Sequence, residues 1–443
     1  MHIAFICLPA AGHVNPTLPV VAELVRRGHR VTFATSAKYA KAVESAGATF
    51  FPSGEDLAAF LPPRERSAGA GPGPAEVAPA PAEGTPAPAE GTPAPSPMTG
   101  MFAGMPSGMM SGLLERILKG AREEFPALLA RLAEDPPDGL AYDAMTLSGK
   151  MAAAKLALPD IALLPSYATN EHFSMRDLMP GPPPPGMVEA WKQVGQRIHD
   201  FAAEHGVGHL QFMGGPPASL NISFIPREFQ PSGETFDARF HFVGPCLGLR
   251  GDEETWQPRA KESPLLFISL GTTPLNDRPD FFRMCLDGFA GTEWQVAMAI
   301  GERVEESELG DIPENFEVRP FFPQLEVLPH ATAFLSHTGM NSTMEALYFG
   351  VPLVAFPLQP EQGANARRVV DLGLGRRLPL EGLSPQLIRE TVLDVSGDQA
   401  IRSNLEAMSA RVRGSGGASA AADAIEDFLR GPAGRLPGPP DAV

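Results

Sequence analysis

The sequence predicts two doubly wound α/β domains, each built on a parallel sheet, from three observations. At 443 residues the chain is too long for one ordinary core and suits two. From the N-terminus, short apolar runs alternate with helix-period segments that stop at glycines. The same alternation restarts at Leu265, after a stretch in which Pro, Gly and charge accumulate.

Taken in order, residues 2–8 read as a strand, 9–16 as a loop and 17–27 as a helix that Gly28 ends. A strand over 30–34, a helix over 38–46, Gly47 and a short strand over 49–51 complete a βαβ series. Apolar runs of this length fit strands covered on both faces. The opening run has no basic flank and is shorter than a secretory signal, so it is assigned to the first strand.

Residues 68–98 break the pattern. The heptapeptide Pro-Ala-Pro-Ala-Glu-Gly-Thr occupies 79–85 and recurs at 86–92, a composition that buries too little apolar surface to offset its ordering entropy. A polyproline-like or disordered insertion is expected there. The Met-rich patch that follows, with Met98, Met101, Phe102 and Met105, has two readings: gap-filling core, or an adaptable wall for an apolar ligand. A helix-period run over 113–132, kinked at Pro126, then leads to a strand over 140–142 that ends at Asp143. A helix to about 157 and a strand over 161–164 follow.

The first domain is expected over 1–225, a linker over 226–262 and the second domain over 263–415. In the second, strands fall at 265–270, 294–300, 333–336 and 352–355, with helices at 279–289, 341–348 and 361–371. A last helix over 416–430 precedes a Pro/Gly-rich tail at 431–443. Ligands of doubly wound sheets sit beyond the C-terminal ends of the strands, so a cleft between two facing domains is expected.

The bulk numbers exclude several classes. A formal charge of −17 disfavours nucleic-acid binding, which needs basic residues against phosphates. No run of about 18 apolar residues could span a bilayer. Three widely spaced cysteines among apolar residues fit reduced thiols in a cytoplasmic protein, and suggest neither disulfide frame nor zinc knuckle. The expectation is a cytoplasmic monomer or homodimer.

The chemistry concentrates between Phe321 and Gln362. Where the 333–336 strand meets the next helix, Asn341, Ser342 and Thr343 can cradle a diphosphate through backbone and hydroxyl donors, with His337 adding another. Plain helix capping is the competing reading. Glu345 projects from the same helix and can accept hydrogen bonds from vicinal ribose hydroxyls. Phe321 and Gln324 offer a flat apolar face and an amide edge for a base. Glu361 and Gln362 open the next helix, where they can meet sugar hydroxyls; a lone pair of this kind is usually solvated surface. Only the combination points to a nucleotide-activated sugar.

That combination resembles the signature of the family 1 GT-B glycosyltransferases, closest to the bacterial macrolide group. The likeness runs from Ala11-Gly12-His13-Val14-Asn15-Pro16, through Ile268-Ser269-Leu270-Gly271-Thr272, to Asp371-Leu372-Gly373-Leu374-Gly375. It implies the GT-B fold of two facing Rossmann-like domains. It also implies that Phe321 stacks on the base, Gln324 bonds the base edge or ribose, and Glu345 holds the ribose. His337, Gly339, Asn341, Ser342, Thr343 and Thr272 would serve the diphosphate, and Glu361 with Gln362 the sugar. Phe321 departs from the family's common Trp, which leaves uracil against thymine open; Gln362 resembles the pattern of glucose-type donors.

Sugar transfer to a hydroxyl needs a base. His13, in the loop after the first strand, can accept that proton at neutral pH, although a loop histidine beside glycine is more often surface. Asp143, which can also cap the helix after it, can hold the second ring nitrogen. The resemblance implies this pairing and an inverting displacement that gives a β-glycoside, with no cofactor and no metal. The acceptor is expected to be a hydrophobic natural product such as a macrolide, polyketide or flavonoid, held in an apolar cavity by the Met patch with Phe173, Met175, Met179, Phe212 and Met213. Competing readings are a nucleotide-sugar epimerase or other enzyme of this fold, and a noncatalytic partner of another transferase. A dehydrogenase is weaker still, because Leu8-Pro9-Ala10-Ala11-Gly12-His13 carries one glycine where the dinucleotide fingerprint wants three.

Overall fold

A computed structural model of the chain describes residues 1–54, 107–178, 186–212, 215–248, 255–271 and 277–431. The repeat insertion, Met98, Met101, Phe102, Met105, Met179, Met213, Thr272 and the tail beyond 431 lie outside these residues. The described residues form two compact units. One comprises residues up to 248 with those from 415 onward, and the other comprises 255–414.

In the first unit the order is β1 (His2–Ile6), α1 (Ala11–Arg26), β2 (Arg30–Thr35), α2 (Ala40–Ser45), β3 (Thr49–Pro52), α3 (Ser107–Glu134) and β4 (Gly139–Asp143). Then come α4 (Leu147–Lys155), β5 (Asp160–Leu164), α5 (Met187–Glu204), β6 (Leu220–Ser223) and β7 (Phe240–Phe242). The strands form one sheet in the order β3-β2-β1-β4-β5-β6-β7, parallel at every pairing. All five residues of β1 are buried, as both-face coverage requires.

Two local expectations are corrected, the start of the first helix and the extent of the linker. Helix α1 starts at Ala11, not 17, so His13 lies in its first turn and not in a loop. Its N-cap is Ala10, which offers no capping side chain, and Pro16 and Pro19 lie inside it; none of these marks a helix start. Burial of Val14, Leu18, Val20, Val21 and Leu24 holds the helix regardless. Helix α3 runs through Pro126 as one element. The linker placed at 226–262 overlaps β7, which pairs with β6 and extends the first sheet.

The second unit contains β8 (Leu265–Ser269), α6 (Pro279–Phe289), β9 (Gln295–Ala299), β10 (Phe316–Arg319), α7 (Gln324–Val327), β11 (Ala333–Ser336) and α8 (Met340–Phe349). It continues with β12 (Leu353–Ala355), α9 (Pro360–Asp371), β13 (Gly375–Arg377), α10 (Pro385–Gly397) and α11 (Gln399–Gly414). Its sheet is also parallel, in the order β10-β9-β8-β11-β12-β13. Phe267 and Phe334 stack at 4.8 Å within its core.

The final helix, α12 (Gly417–Arg430), returns to the first unit and packs on α1. Its Ala421, Ala422, Ala424 and Ile425 join the core formed by Leu18, Val21 and Phe33. Gly139 leaves room for it, since a Cβ there would lie 2.5 Å from Leu429 Cδ2. Arg27 bonds Asp423 at 2.5 Å and His29 bonds Glu426. Partly exposed pairs contribute roughly 0–1 kcal/mol each, whereas a fully buried Ile gives about 1.5–3 kcal/mol, so the apolar stripe decides the docking.

Candidate active site

In each sheet the strand order reverses beside one central strand, and that switch point is where doubly wound folds place ligands. In the first sheet it lies between β1 and β4, and in the second between β8 and β11. A histidine stands at each.

His13 occupies the first turn of α1, just beyond β1, and Asp143 ends β4. Their side chains meet, with His13 Nδ1 2.6 Å from Asp143 Oδ2. A carboxylate only accepts, so Nδ1 carries the proton and Nε2 is the basic nitrogen. The carboxylate is itself fixed: Asp143 Oδ1 accepts from the Met145 N–H at 2.9 Å, and its backbone oxygen accepts from Thr146 Oγ1 at 2.7 Å. The Asp143 side chain is 2% exposed and that of His13 13%. The arrangement is a base held in one tautomer by a buried carboxylate.

At the second switch point His337 follows β11 directly and is buried. Two glycines grip its ring. A Cβ on Gly271 would lie 2.5 Å from Cε1, and one on Gly339 would lie 2.4 Å from Nε2. Gly271 also has a φ of +75°, so it is required twice over. The sequence motif that contains Gly271 assigns it no role, although a glycine this close behind a central strand signals a close approach. Burial pushes the His337 imidazole down to about 4, against a smaller raising effect of a hydrogen bond with the Ser269 backbone. It is therefore neutral at physiological pH, with a single ring N–H to donate.

Helix α8 begins at Met340 with Gly339 as N-cap and no capping side chain, so the positive end of its dipole faces the end of β11 where an anion can be held. Asn341 and Ser342 are half-buried at this end. Thr343 is corrected: it is fully buried and its Oγ1 donates to the Gly339 carbonyl at 3.0 Å, because the fourth helical position turns back under the first turn. Gln324 joins two further residues, with Nε2 donating to Glu345 Oε2 at 2.5 Å and reaching Ser342 Oγ at 3.3 Å. Glu345 is only 2% exposed. Phe322 turns inward against Trp256 and Phe267, whereas Phe321 is 46% exposed and presents its ring outward.

Glu361 is half-buried in the first turn of α9. Gln362 is buried, and its Oε1 accepts from the N–H groups of Leu358 at 2.8 Å and Gln359 at 3.1 Å. Its acceptor oxygen serves the capping box of α9, leaving the amide N–H groups for a ligand. Between these segments stands Thr338, a β-branched residue at φ +58°, a conformation that costs roughly 1–3 kcal/mol.

Phe173 and Met175, expected on an acceptor wall, are 4% and 3% exposed. Phe173 packs edge-on against Tyr167 at 6.1 Å, as part of the core. The first unit instead has a cavity of about 400 Å³ that opens beside Asp143, lined by Ala144, Met145, Lys150, Asn170, Phe212 and Asn221. Lys150 Nζ donates to the Gln211 carbonyl at 2.8 Å, and burial holds its pKa below the ordinary value. A larger cavity of about 520 Å³ in the second unit includes Thr332 and Pro352, which precede β11 and β12, so it lies at the opposite strand ends from His337. Among the described residues no three His, Cys, Asp or Glu side chains gather as a metal site, and no helix is long and apolar enough to cross a membrane.

Comparison with known proteins finds glycosyltransferases that match almost the whole chain. Residues 283–420 match the model of the erythromycin biosynthesis protein CIII-like C-terminal domain. The chain is 38% identical over 437 residues to the NDP-glycosyltransferase YjiC of Bacillus licheniformis, covering 98% of each. It is 36% identical to the demethyllactenocin mycarosyltransferase of Streptomyces fradiae, over 97% of this chain and 86% of that one. Among solved structures, the calicheamicin glycosyltransferase CalG4 superposes with a TM-score of 0.74 at 31% identity, over 97% of this chain and 98% of that one.

Proposed function

The chain belongs to the family 1 GT-B glycosyltransferases, enzymes that take a sugar from a nucleotide donor, and on that premise we propose that it transfers glucose from UDP-glucose to a hydroxyl of a hydrophobic natural product, a macrolide, polyketide or flavonoid, with inversion. The observation that carries this reading is the 2.6 Å contact between His13 and Asp143 at the switch point of the first sheet. A noncatalytic partner would have no use for a buried carboxylate that fixes a histidine's tautomer. Relatives named as glycosyltransferases of demethyllactenocin, oleandomycin and calicheamicin support the acceptor class.

In this reading His13 Nε2 takes the proton of the acceptor hydroxyl, and Asp143 steadies the imidazolium that forms. The oxygen attacks the anomeric carbon as the bond to the diphosphate breaks. The departing charge falls on the N–H groups that open α8, with Ser342 and the neutral His337 as further donors. Glu345, positioned by Gln324, accepts from the ribose, Phe321 stacks on the base and Glu361 accepts from the sugar. An α-linked donor then yields a β-glycoside, and the scheme calls for no metal ion.

The test is a panel of UDP- and TDP-sugars against a panel of hydrophobic alcohols, read by mass shift and by the anomeric proton coupling of the product. A hexose-mass gain with β coupling is expected. An α-product would overturn inversion, and conversion of the donor to an epimer without acceptor would replace transfer with isomerisation.

A further inference from the structure

The most strained non-glycine backbone near the donor site has no part in the chemistry above. Thr338 separates His337, at the end of β11, from Gly339, the N-cap of α8. It is fully buried, and its φ of +58° is one that β-branched residues rarely adopt. Every polar group it has is engaged. Its N–H donates to Ser336 Oγ at 3.1 Å. Its hydroxyl is shared between the carbonyl of His337 at 2.6 Å and that of Gln362 at 3.0 Å. Its own carbonyl accepts from Asn365 Nδ2 at 2.9 Å, and Asn365 is fully buried.

Two of those partners, Gln362 and Asn365, belong to α9, the helix that carries Glu361. The strained residue is thus bonded to the element on the sugar side while its chain neighbours, His337 and Gly339, form the phosphate side. A glycine would adopt this φ without strain but would lack the hydroxyl. The geometry points to Thr338 and Asn365 as positioning residues that hold the sugar-binding helix in register with the diphosphate-binding turn, so that the anomeric carbon and its leaving group are presented together. This inference rests on the donor-site reading above and goes beyond it, since neither residue touches the donor in that reading.

Misplacement of a reacting centre by about 1 Å can cost on the order of 100-fold in rate. The variants are Thr338→Val, which keeps the shape and loses the hydroxyl, Thr338→Ser, which restores it, and Asn365→Ala, which removes the second bond should the valine variant fail to fold. The measurements are the affinities of UDP and TDP by calorimetry, kcat with the corresponding glucose donors, and the ratio of glycoside formed to free glucose released. Thr338→Val and Asn365→Ala are expected to bind the free diphosphate within about twofold of wild type, lose 10- to 100-fold in kcat and release more free glucose per transfer. Thr338→Ser is expected to recover most of the rate. An unchanged kcat in a folded variant overturns the proposal. A parallel fall in diphosphate affinity and kcat also overturns it, because it would show a locally unfolded turn and not a lost register. A wild-type chain that binds neither UDP nor TDP would overturn the donor-site reading itself.

Discussion

Each sheet sets a histidine beside its switch point, His13 after β1 and His337 after β11, the counterpart of β4, and the two become different groups. At the first switch point His13 meets a carboxylate at 2.6 Å and keeps some contact with solvent. At the second, His337 is walled by Gly271 and Gly339, no carboxylate bonds it among the described residues, and burial sets its behaviour. A histidine becomes a base when something stabilises its charged form, and a neutral donor when nothing does. Position in the fold sets each beside a switch point, and its neighbours decide its chemistry.

The largest effect that can break this contrast is loss of the base. His13→Ala is expected to lower kcat by roughly 10²–10⁴-fold, equivalent to about 3–5 kcal/mol, with donor affinity unchanged. Asp143→Asn keeps the shape but cannot stabilise the imidazolium, so it should lose a large part of the same factor. Saturating-donor kinetics and calorimetry of UDP binding provide the check. If His337→Gln cost as much kcat as His13→Ala at constant donor affinity, the two histidines would not differ in role.

The second prediction concerns stability. The folded His337 titrates at about 4 and the unfolded side chain near 6.5. Between those values the unfolded chain binds the extra proton, so stability rises with pH across that window. The contribution is fully present above pH 6.5 and is lost progressively as pH falls to about 4. At about 1.4 kcal/mol per pH unit this amounts to about 3 kcal/mol. Urea unfolding from pH 4 to 7 should therefore show a slope that His337→Gln flattens, and parallel curves for the two proteins would refute the assignment.

The legibility of the sequence follows the same division. Apolar runs and glycine stops placed β11 at Ala333–Ser336 correctly, and the motif residues that sequence pattern grouped are in fact joined where Gln324 meets Glu345 and Ser342. The start of α1 was illegible, because Ala10 caps it without a side-chain signal and Pro16 reads as a breaker. Gln362 was half legible: its spacing suggested a sugar ligand, and the capping of its own helix takes its acceptor oxygen. Thr343 failed for the reason that hydroxyls near helix starts often fail, since a carbonyl of the preceding turn competes for them. Phe173 and Met175 were apolar residues assigned to a wall that the core claimed.

Smaller effects should appear around the second histidine. Glu345→Ala removes a buried carboxylate bonded to Gln324 and is expected to raise the donor KM by about 10- to 100-fold, as loss of charged hydrogen bonds implies. Phe321→Ala removes only one stacking face and should raise it about fivefold, equivalent to about 1 kcal/mol. Phe321→Trp should lower it. Steady-state kinetics in donor concentration rank the three, and an unchanged KM in Glu345→Ala would remove that residue from the donor site.

The smallest expected effect is that of metal removal, and it sharpens the contrast most. A diphosphate leaving group needs compensation, and the dipole of α8 contributes only about 0.3–1 kcal/mol at an exposed site. The N–H groups at its start must therefore supply most of it as charge-assisted hydrogen bonds, each worth roughly 1.5–3 kcal/mol, with the neutral His337 as one further donor. If that set suffices, EDTA should change kcat by less than about twofold and added Mg²⁺ should not raise it. Activity abolished by EDTA and restored by Mg²⁺ would show that the second switch point depends on a cation, and that its neutral histidine is a structural neighbour of the diphosphate and not its electrophilic partner.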